Sequence, residues 1–278
     1  MIYVLGANGQ LGQSIKKVQP DDLEVTYLTS SNLDITNESS VKLFFNDINS
    51  QDTLINCAAY TAVDKAEDES EKAFLVNATG PKYLSKYCND SGAKLIHIST
   101  DYVFDGESAT PYTEDDKASP IGAYGRSKHQ GELDIISSGC TYVIIRTAWV
   151  FSEFGNNFVK TMLKLSSRDE ISVVNDQVGS PTYAPDLALL IFEIINKIEV
   201  CENKVFHFSN SGECSWYDFA KEILHDYKVH IKGIPSSQYP TKAKRPHFSL
   251  LNTDKIVQTL GIEIPHWKDS LKLCLRAL

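Results

Sequence analysis

Tyr124 and Lys128 close the segment Tyr124-Gly125-Arg126-Ser127-Lys128, a spacing that puts both side chains on one face of a helix. A tyrosine hydroxyl can protonate the oxygen of a ketone that is accepting hydride, provided its pKa is brought down from about 10. A neighbouring lysine ammonium favours tyrosinate and so does this; it can also hydrogen-bond a nicotinamide ribose. Thr100 follows a strand predicted over Lys94–Ser99, where its hydroxyl would hold the carbonyl oxygen. The same spacing recurs at Tyr217 and Lys221. No matching strand end precedes that second pair, which reads as ordinary helix surface.

Such groups need a scaffold that brings a cofactor to them. The apolar run Ile2–Leu5 opens into Gly6-Ala7-Asn8-Gly9-Gln10-Leu11-Gly12, which reads as strand, glycine turn and helix start. Glycine lets the backbone approach a pyrophosphate, and the first-turn N–H groups favour that anion. Further strands are expected at Glu24–Leu28, Thr53–Cys57 and Tyr142–Arg146, with helices at Gln10–Val18, Ser39–Asp47, Glu67–Asn89 and Ala123–Ile136. Such alternation implies an α/β fold with a doubly wound parallel sheet, whose ligands sit beyond the carboxyl ends of the strands. The second strand ends Thr29-Ser30-Ser31 with no acid to repel a 2′-phosphate, which makes NADPH plausible. Asp34 follows, and Ala58-Ala59-Tyr60 ends the third strand with small residues that let a flat cofactor lie close.

After about Trp149 helices dominate (Asn157–Leu165, Asp186–Asn196, Trp216–Tyr227, Trp267–Leu275), with short strands at Ile171–Val174 and Val205–Phe208. The expected layout is a dinucleotide-binding domain over 1–149 and a smaller C-terminal α/β substrate-binding domain over 150–278. The boundary is interleaved, since the helix near 186–196 can pack back on the first domain. A net charge of −9 argues against a nucleic-acid partner. The apolar runs are too short for a membrane span. Six scattered cysteines without a Cys-x-x-Cys pair argue against a zinc site or disulfide framework, and a reducing cytoplasm fits best. His97 reads as a packed histidine, and Glu67–Glu71 as an exposed helix face. Lys242, Lys244 and Arg245 suit either a substrate diphosphate or a solvated basic loop.

Longer polar strings are more specific. They are Ala58-Ala59-Tyr60-Thr61-Ala62-Val63-Asp64-Lys65-Ala66-Glu67, Ser99-Thr100-Asp101-Tyr102-Val103-Phe104, Arg146-Thr147-Ala148-Trp149-Val150, Gly155-Asn156-Asn157-Phe158 and Asn175-Asp176-Gln177-Val178-Gly179-Ser180-Pro181-Thr182, with Tyr239-Pro240-Thr241 and Arg245-Pro246 later. On these the whole chain resembles the dTDP-4-dehydrorhamnose reductases, extended short-chain dehydrogenase/reductases with a Rossmann fold. The resemblance implies NADPH (or NADH) as cofactor and a dTDP-sugar as substrate, the C4 ketone of dTDP-6-deoxy-L-lyxo-4-hexulose being reduced to give dTDP-L-rhamnose. It implies that Gly9, Gln10 and Leu11 cover the pyrophosphate, and that Asp34, Ile35, Ala58, Ala59 and Tyr60 line the adenosine side. Tyr124 and Lys128 would reach the nicotinamide end, and Thr61, Val63, Thr100, Asp101 and Trp149 would meet the sugar nucleotide. Some relatives bridge a homodimer with magnesium through glutamates. The matching positions here, Ser14, Pro185 and Lys268, carry no carboxylate, so no bridging metal is expected, and the chain would be a monomer or homodimer. The alternatives are a reductase of another nucleotide-activated 4-keto-6-deoxysugar, or a non-catalytic NADP-binding regulatory subunit like the beta subunit of methionine adenosyltransferase. Intact Thr100, Tyr124 and Lys128 favour catalysis.

Overall fold

A computed structural model describes residues 1–278. Five strands of the first half, β1 (Ile2–Leu5), β2 (Val25–Leu28), β3 (Thr53–Asn56), β4 (Lys94–Thr100) and β5 (Tyr142–Thr147), join the strand Lys204–Phe208 in one parallel sheet. The order is Lys204–Phe208, β5, β4, β3, β1, β2, so the winding reverses between β1 and β3. In a doubly wound sheet that reversal opens a crevice at the carboxyl ends of the strands.

Both faces of the sheet are covered, which is why its central strands are nearly unbroken apolar runs. On one face Ile2, Val4, Ile55 and Ile96 pack against Leu11 and Ile15 of α1 (Gln10–Val18) and against Leu187, Leu190 and Ile191 of the helix Ala184–Asn196. On the other face Leu5, Leu54, Leu95 and Ile144 meet Val41, Leu84, Cys88 and Ile135 from three further helices. The strand expected at Val205–Phe208 in the second unit belongs instead to the main sheet, edge-on to β5. Phe206 and Phe208 are both buried in the first face's core, a burial that short sequence context does not reveal. The chain thus crosses to the smaller unit after β5, returns through Ala184–Phe208, and leaves again.

The smaller unit is built from short pairings: Glu170–Val174 with His230–Ile234, Cys214–Ser215 with Val178–Gly179, and Val150–Phe151 with Thr182–Tyr183. Phe151, Val159, Phe219, Trp267 and Leu271 form its core. No helix is long and apolar enough to cross a membrane. All six cysteines are free thiols.

The region expected as one helix over Glu67–Asn89 is broken. It runs as Val63–Ala66, Ser70–Phe74, a π turn at Leu75–Thr79 and Gly80–Ser91. π turns cluster at functional sites, and this one buries Asn77 beside the end of β3. Asn77 Oδ1 accepts from Tyr60 N at 2.8 Å, while Nδ2 donates to the Tyr60 carbonyl and to Ser127 Oγ, both at 3.0 Å.

Candidate active site

Gly6 ends β1 with φ +77°, and a Cβ there would stand 2.7 Å from Ala58 N. The turn can therefore lie flat against the end of β3 only with glycine. Gly9 caps α1 with no side chain over the first-turn N–H groups, leaving a cradle of the size and polarity that an anion needs. From this turn a cleft of about 540 Å³ runs across the switch point. Gly9, Gln10, Leu11 and Gly12 line one end. Ala59, Thr61, Val63, Thr100, Asp101, Tyr124, Lys128 and Trp149 line the cleft as well. A dinucleotide fits these groups: glycine-exposed amides at one end, small residues between, and hydroxyl and amine at the other.

The predicted adenosine residues separate. Ala59 lines the cleft, while Ala58 lies against the turn at Gly6. Asp34 is exposed, its carboxylate accepting from Thr36 N and Thr36 Oγ1. Ile35 is buried in the core, where its Cδ1 fills the space beside Gly80. The Tyr60 hydroxyl donates to Glu69 Oε2. Asp34, Ile35, Ala58 and Tyr60 do not line the cleft. Gln10 turns its side chain away from the glycine cradle. Its Oε1 accepts from Ser152 Oγ at 3.1 Å and Asn157 Nδ2 at 2.8 Å, joining the glycine turn to the smaller unit.

The helix Ala123–Ser137 carries Tyr124 and Lys128. It sits close because Gly125 has no side chain, for a Cβ there would lie 2.1 Å from the Tyr102 carbonyl oxygen. Glu67 is not the exposed surface acid expected; its Oε1 accepts from Ala123 N at 2.8 Å and caps this helix, where a carboxylate favours the dipole. Tyr124 is 9% exposed and Lys128 2%.

The electrostatics depart from expectation. Burial pushes the Tyr124 hydroxyl up to about 12, opposed by Thr100 and reinforced by the nearby Asp101 carboxylate. Lys128 is itself drawn down to about 8 by burial, against the attraction of Glu132 and Cys57. Its amine is engaged elsewhere, donating to the Ile98 carbonyl at 2.6 Å with His97 Nε2 at 3.2 Å. Burial thus keeps Tyr124 protonated at neutral pH. Thr100 Oγ1 donates to Asp101 Oδ1 at 3.0 Å and accepts from Tyr102 N. Burial raises the Asp101 carboxyl to about 6 despite the Ser249 and Thr100 hydroxyls, and its Oδ2 has no hydrogen-bond partner.

Sequence reasoning passed over Asn56, Asn77 and Trp216. Asn56 had a signal, as a lone amide closing an apolar strand. Asn77 and Trp216 come to the site only through contacts distant in sequence, with Tyr60 and Ser127 and with Trp149. Two side chains of the basic loop pair within the chain: Arg245 Nη2 meets Asp64 Oδ2 at 2.7 Å and Lys242 pairs with Asp68. The decoy Tyr217 is half-buried with Lys221 Nζ over its ring at 5.2 Å, in the smaller unit.

This fold and cleft define an NAD(P)H-dependent oxidoreductase of the extended short-chain dehydrogenase/reductase class. The family model described as RmlD substrate binding domain matches residues 1–278. The dTDP-4-dehydrorhamnose reductase of Sinorhizobium fredii is 40% identical over 288 residues, covering 100% of this chain and 97% of that protein. A dTDP-4-dehydrorhamnose reductase crystal structure from Clostridium acetobutylicum matches with TM-score 0.93 and 41% identity, over 99% of this chain and 98% of the other. That of Bacillus anthracis, solved in complex with NADP, matches with TM-score 0.94 and 37% identity, over 100% and 99%. The chain belongs to the dTDP-4-dehydrorhamnose reductase family.

Proposed function

We propose that the protein reduces the C4 ketone of dTDP-4-dehydro-6-deoxy-L-mannose to give dTDP-L-rhamnose, with Tyr124 as proton donor. What carries this reading is the convergence of Thr100, Tyr124 and Lys128 on one wall of a cleft that begins at the glycine turn. NAD(P)H, when bound there, would supply the hydride. Gly9, Leu11 and Gly12 form the pyrophosphate cradle, with Gln10 tying that cradle to the smaller unit. Tyr124, held protonated by burial, gives its proton to O4 as the oxygen gains charge. Proton transfer in the transition state is favoured when the oxygen's rising basicity meets a positioned donor. Thr100 Oγ1 orients the same oxygen, and Lys128 holds the cofactor ribose. The unpartnered Asp101 Oδ2 accepts from a sugar hydroxyl, and Thr61, Val63 and Trp149 enclose the sugar.

The test is turnover of dTDP-4-keto-6-deoxyglucose with the 3,5-epimerase and each reduced cofactor. Loss of nicotinamide absorbance with the L-rhamno product supports the reading. A different C4 epimer assigns the protein to another ketosugar, and no oxidation of either cofactor removes the reaction.

A further inference from the structure

The helix that carries Tyr124 begins without the features that usually start a helix. Its N-cap is Gly122, which has no side chain to accept from the first-turn N–H groups. Its first turn, Ala123-Tyr124-Gly125-Arg126, holds a cation and no acid. Both work against a helix end whose orphan donors and dipole call for an oxygen acceptor and negative charge. What is missing locally arrives from 56 residues away, where Glu67 Oε1 accepts from Ala123 N at 2.8 Å. Gly122 admits that carboxylate. Its backbone is extended, φ −120° and ψ 166°, a conformation open to any residue. A Cβ there, however, would stand 2.9 Å from Glu67 Oε1. Space for the carboxylate, not backbone freedom, accounts for glycine at this cap.

Glu67 also closes the short helix Val63–Ala66. The carboxylate thereby joins the segment of the cleft-lining Val63 to the residue before Tyr124. The other end of that segment is held separately. Asn77 binds the backbone of Tyr60 and donates to the hydroxyl of Ser127, the residue before Lys128. With the segment fixed at Tyr60, loss of the Glu67 carboxylate frees the start of the helix Ala123–Ser137. We propose that Glu67 is a positioning residue for proton transfer: by capping the helix at Ala123 it holds Tyr124 in register with Thr61 and Val63 in the cleft. This rests on the reductase reading, since it acts through Tyr124, but the cap can be measured without turnover.

The experiment compares the full-length protein with Glu67→Ala, Glu67→Gln and the double variant Glu67→Ala/Gly122→Ser. Loss of a cap shifts a helix-end equilibrium by about tenfold, and a displaced proton donor slows the chemical step. In Glu67→Ala, kcat for the ketosugar should therefore fall about tenfold, while the NADPH dissociation constant, read by nucleotide fluorescence, stays within about twofold. Glu67→Gln keeps a neutral acceptor and should lose no more than about threefold. In the double variant, serine supplies a local cap in the space that the carboxylate vacated, and kcat should return to within about threefold of wild type. Hydrogen exchange over residues 122–126 of the free proteins, read by mass spectrometry, should quicken in Glu67→Ala and slow again in the double variant. An unchanged kcat in Glu67→Ala, or a double variant that binds NADPH normally yet stays as slow as Glu67→Ala, overturns the proposal. Should Glu67→Ala not fold, Glu67→Asp, one methylene short of Ala123 N, takes its place with the same loss and the same rescue expected. A wild-type protein without ketosugar turnover would refute the reaction and the positioning role with it, while the exchange data still decide the cap. Normal wild-type turnover with an indifferent Glu67→Ala would refute the positioning and leave the reaction standing.

Discussion

Trp149 lies flat on Trp216, with ring centroids 3.6 Å apart and planes 12° apart. The backbone of Trp149 is left-handed, φ +49°, a conformation that costs a bulky residue of order 1–3 kcal/mol and is found where surrounding contacts enforce it. Trp216, backed by Phe158 at 4.6 Å, is one such contact. Gly179 is another, for a Cβ there would press to 2.9 Å from the Trp149 ring. The ring so held lines the cleft.

Replacing Trp216 by Ala removes that support. Aromatic pairs contribute about 0.5–1.5 kcal/mol beyond area burial, so KM for the sugar nucleotide should rise roughly 2- to 12-fold while KM for the cofactor stays put. Steady-state kinetics with each substrate varied separately check this. Equal rises in both constants would place the effect in the fold rather than the sugar site.

The parallel sheet was legible because β1, β3, β4 and β5 are apolar runs ending in small or hydroxyl residues. Tyr124 and Lys128 were legible because helical spacing is local. What the sequence hid is non-local. Asn77 acts through a π turn that interrupts an otherwise helical pattern, and Glu67 caps a helix 56 residues further on. The strand Lys204–Phe208 looks like any short apolar strand until β5 is placed beside it. The pairing of Arg245 with Asp64, 181 residues apart, turns a basic loop into a link between the chain's two ends.

Cofactor choice rests on the loop after β2. Ser30 is exposed, and Thr29 Oγ1 is bonded to Ser31 Oγ and Asn32 Oδ1, each at 2.7 Å. With no acid here, NADPH should serve at least as well as NADH. Ser30→Asp should shift the ratio of kcat/KM values toward NADH by roughly tenfold, through repulsion of the 2′-phosphate. A wild-type protein that prefers NADH tenfold would contradict the account of this loop.

Glu132 and Arg146 form a buried two-pronged ion pair, Nε to Oε1 at 2.9 Å and Nη2 to Oε2 at 2.7 Å. Burial alone would raise the Glu132 carboxyl, but Arg146 and His129 outweigh it and hold it at about 2. A carboxyl depressed in the folded state contributes stability above its unfolded pKa, here near 4.5, and that contribution is lost as pH falls through about 2. Glu132→Gln leaves a buried guanidinium without its counter-charge and should cost about 3–5 kcal/mol. Urea denaturation of both proteins at neutral pH and down to about pH 2 tests it: the gap should narrow on acidification, and a gap independent of pH would refute the assignment.

Metal removal should leave the protein unchanged. Ser14 donates its hydroxyl to the Gln10 carbonyl, Pro185 is buried in the helix Ala184–Asn196, and Lys268 pairs with Glu222 at 3.0 Å. A hard cation seeks several oxygen ligands, and these three side chains present no carboxylate. EDTA should alter neither turnover nor the sedimentation profile; dissociation of a dimer on chelation would reveal a site built from other residues.

The central claim is that Tyr124 gives the proton, and the rate of Tyr124→Phe measures it most directly. The substitution removes one oxygen from a ring already held by the edge of Tyr102, with centroids 5.5 Å apart, so folding and cofactor affinity should persist. Turnover of the ketosugar should fall by about 10²–10⁴-fold, the usual contribution of a positioned general acid. Tyr217→Phe, at the matching position of the decoy pair, should stay within about twofold, since it keeps the half-buried ring and lies outside the cleft. Near-native turnover by Tyr124→Phe would mean that the proton comes from another group, and the mechanism assigned to this cleft would fall.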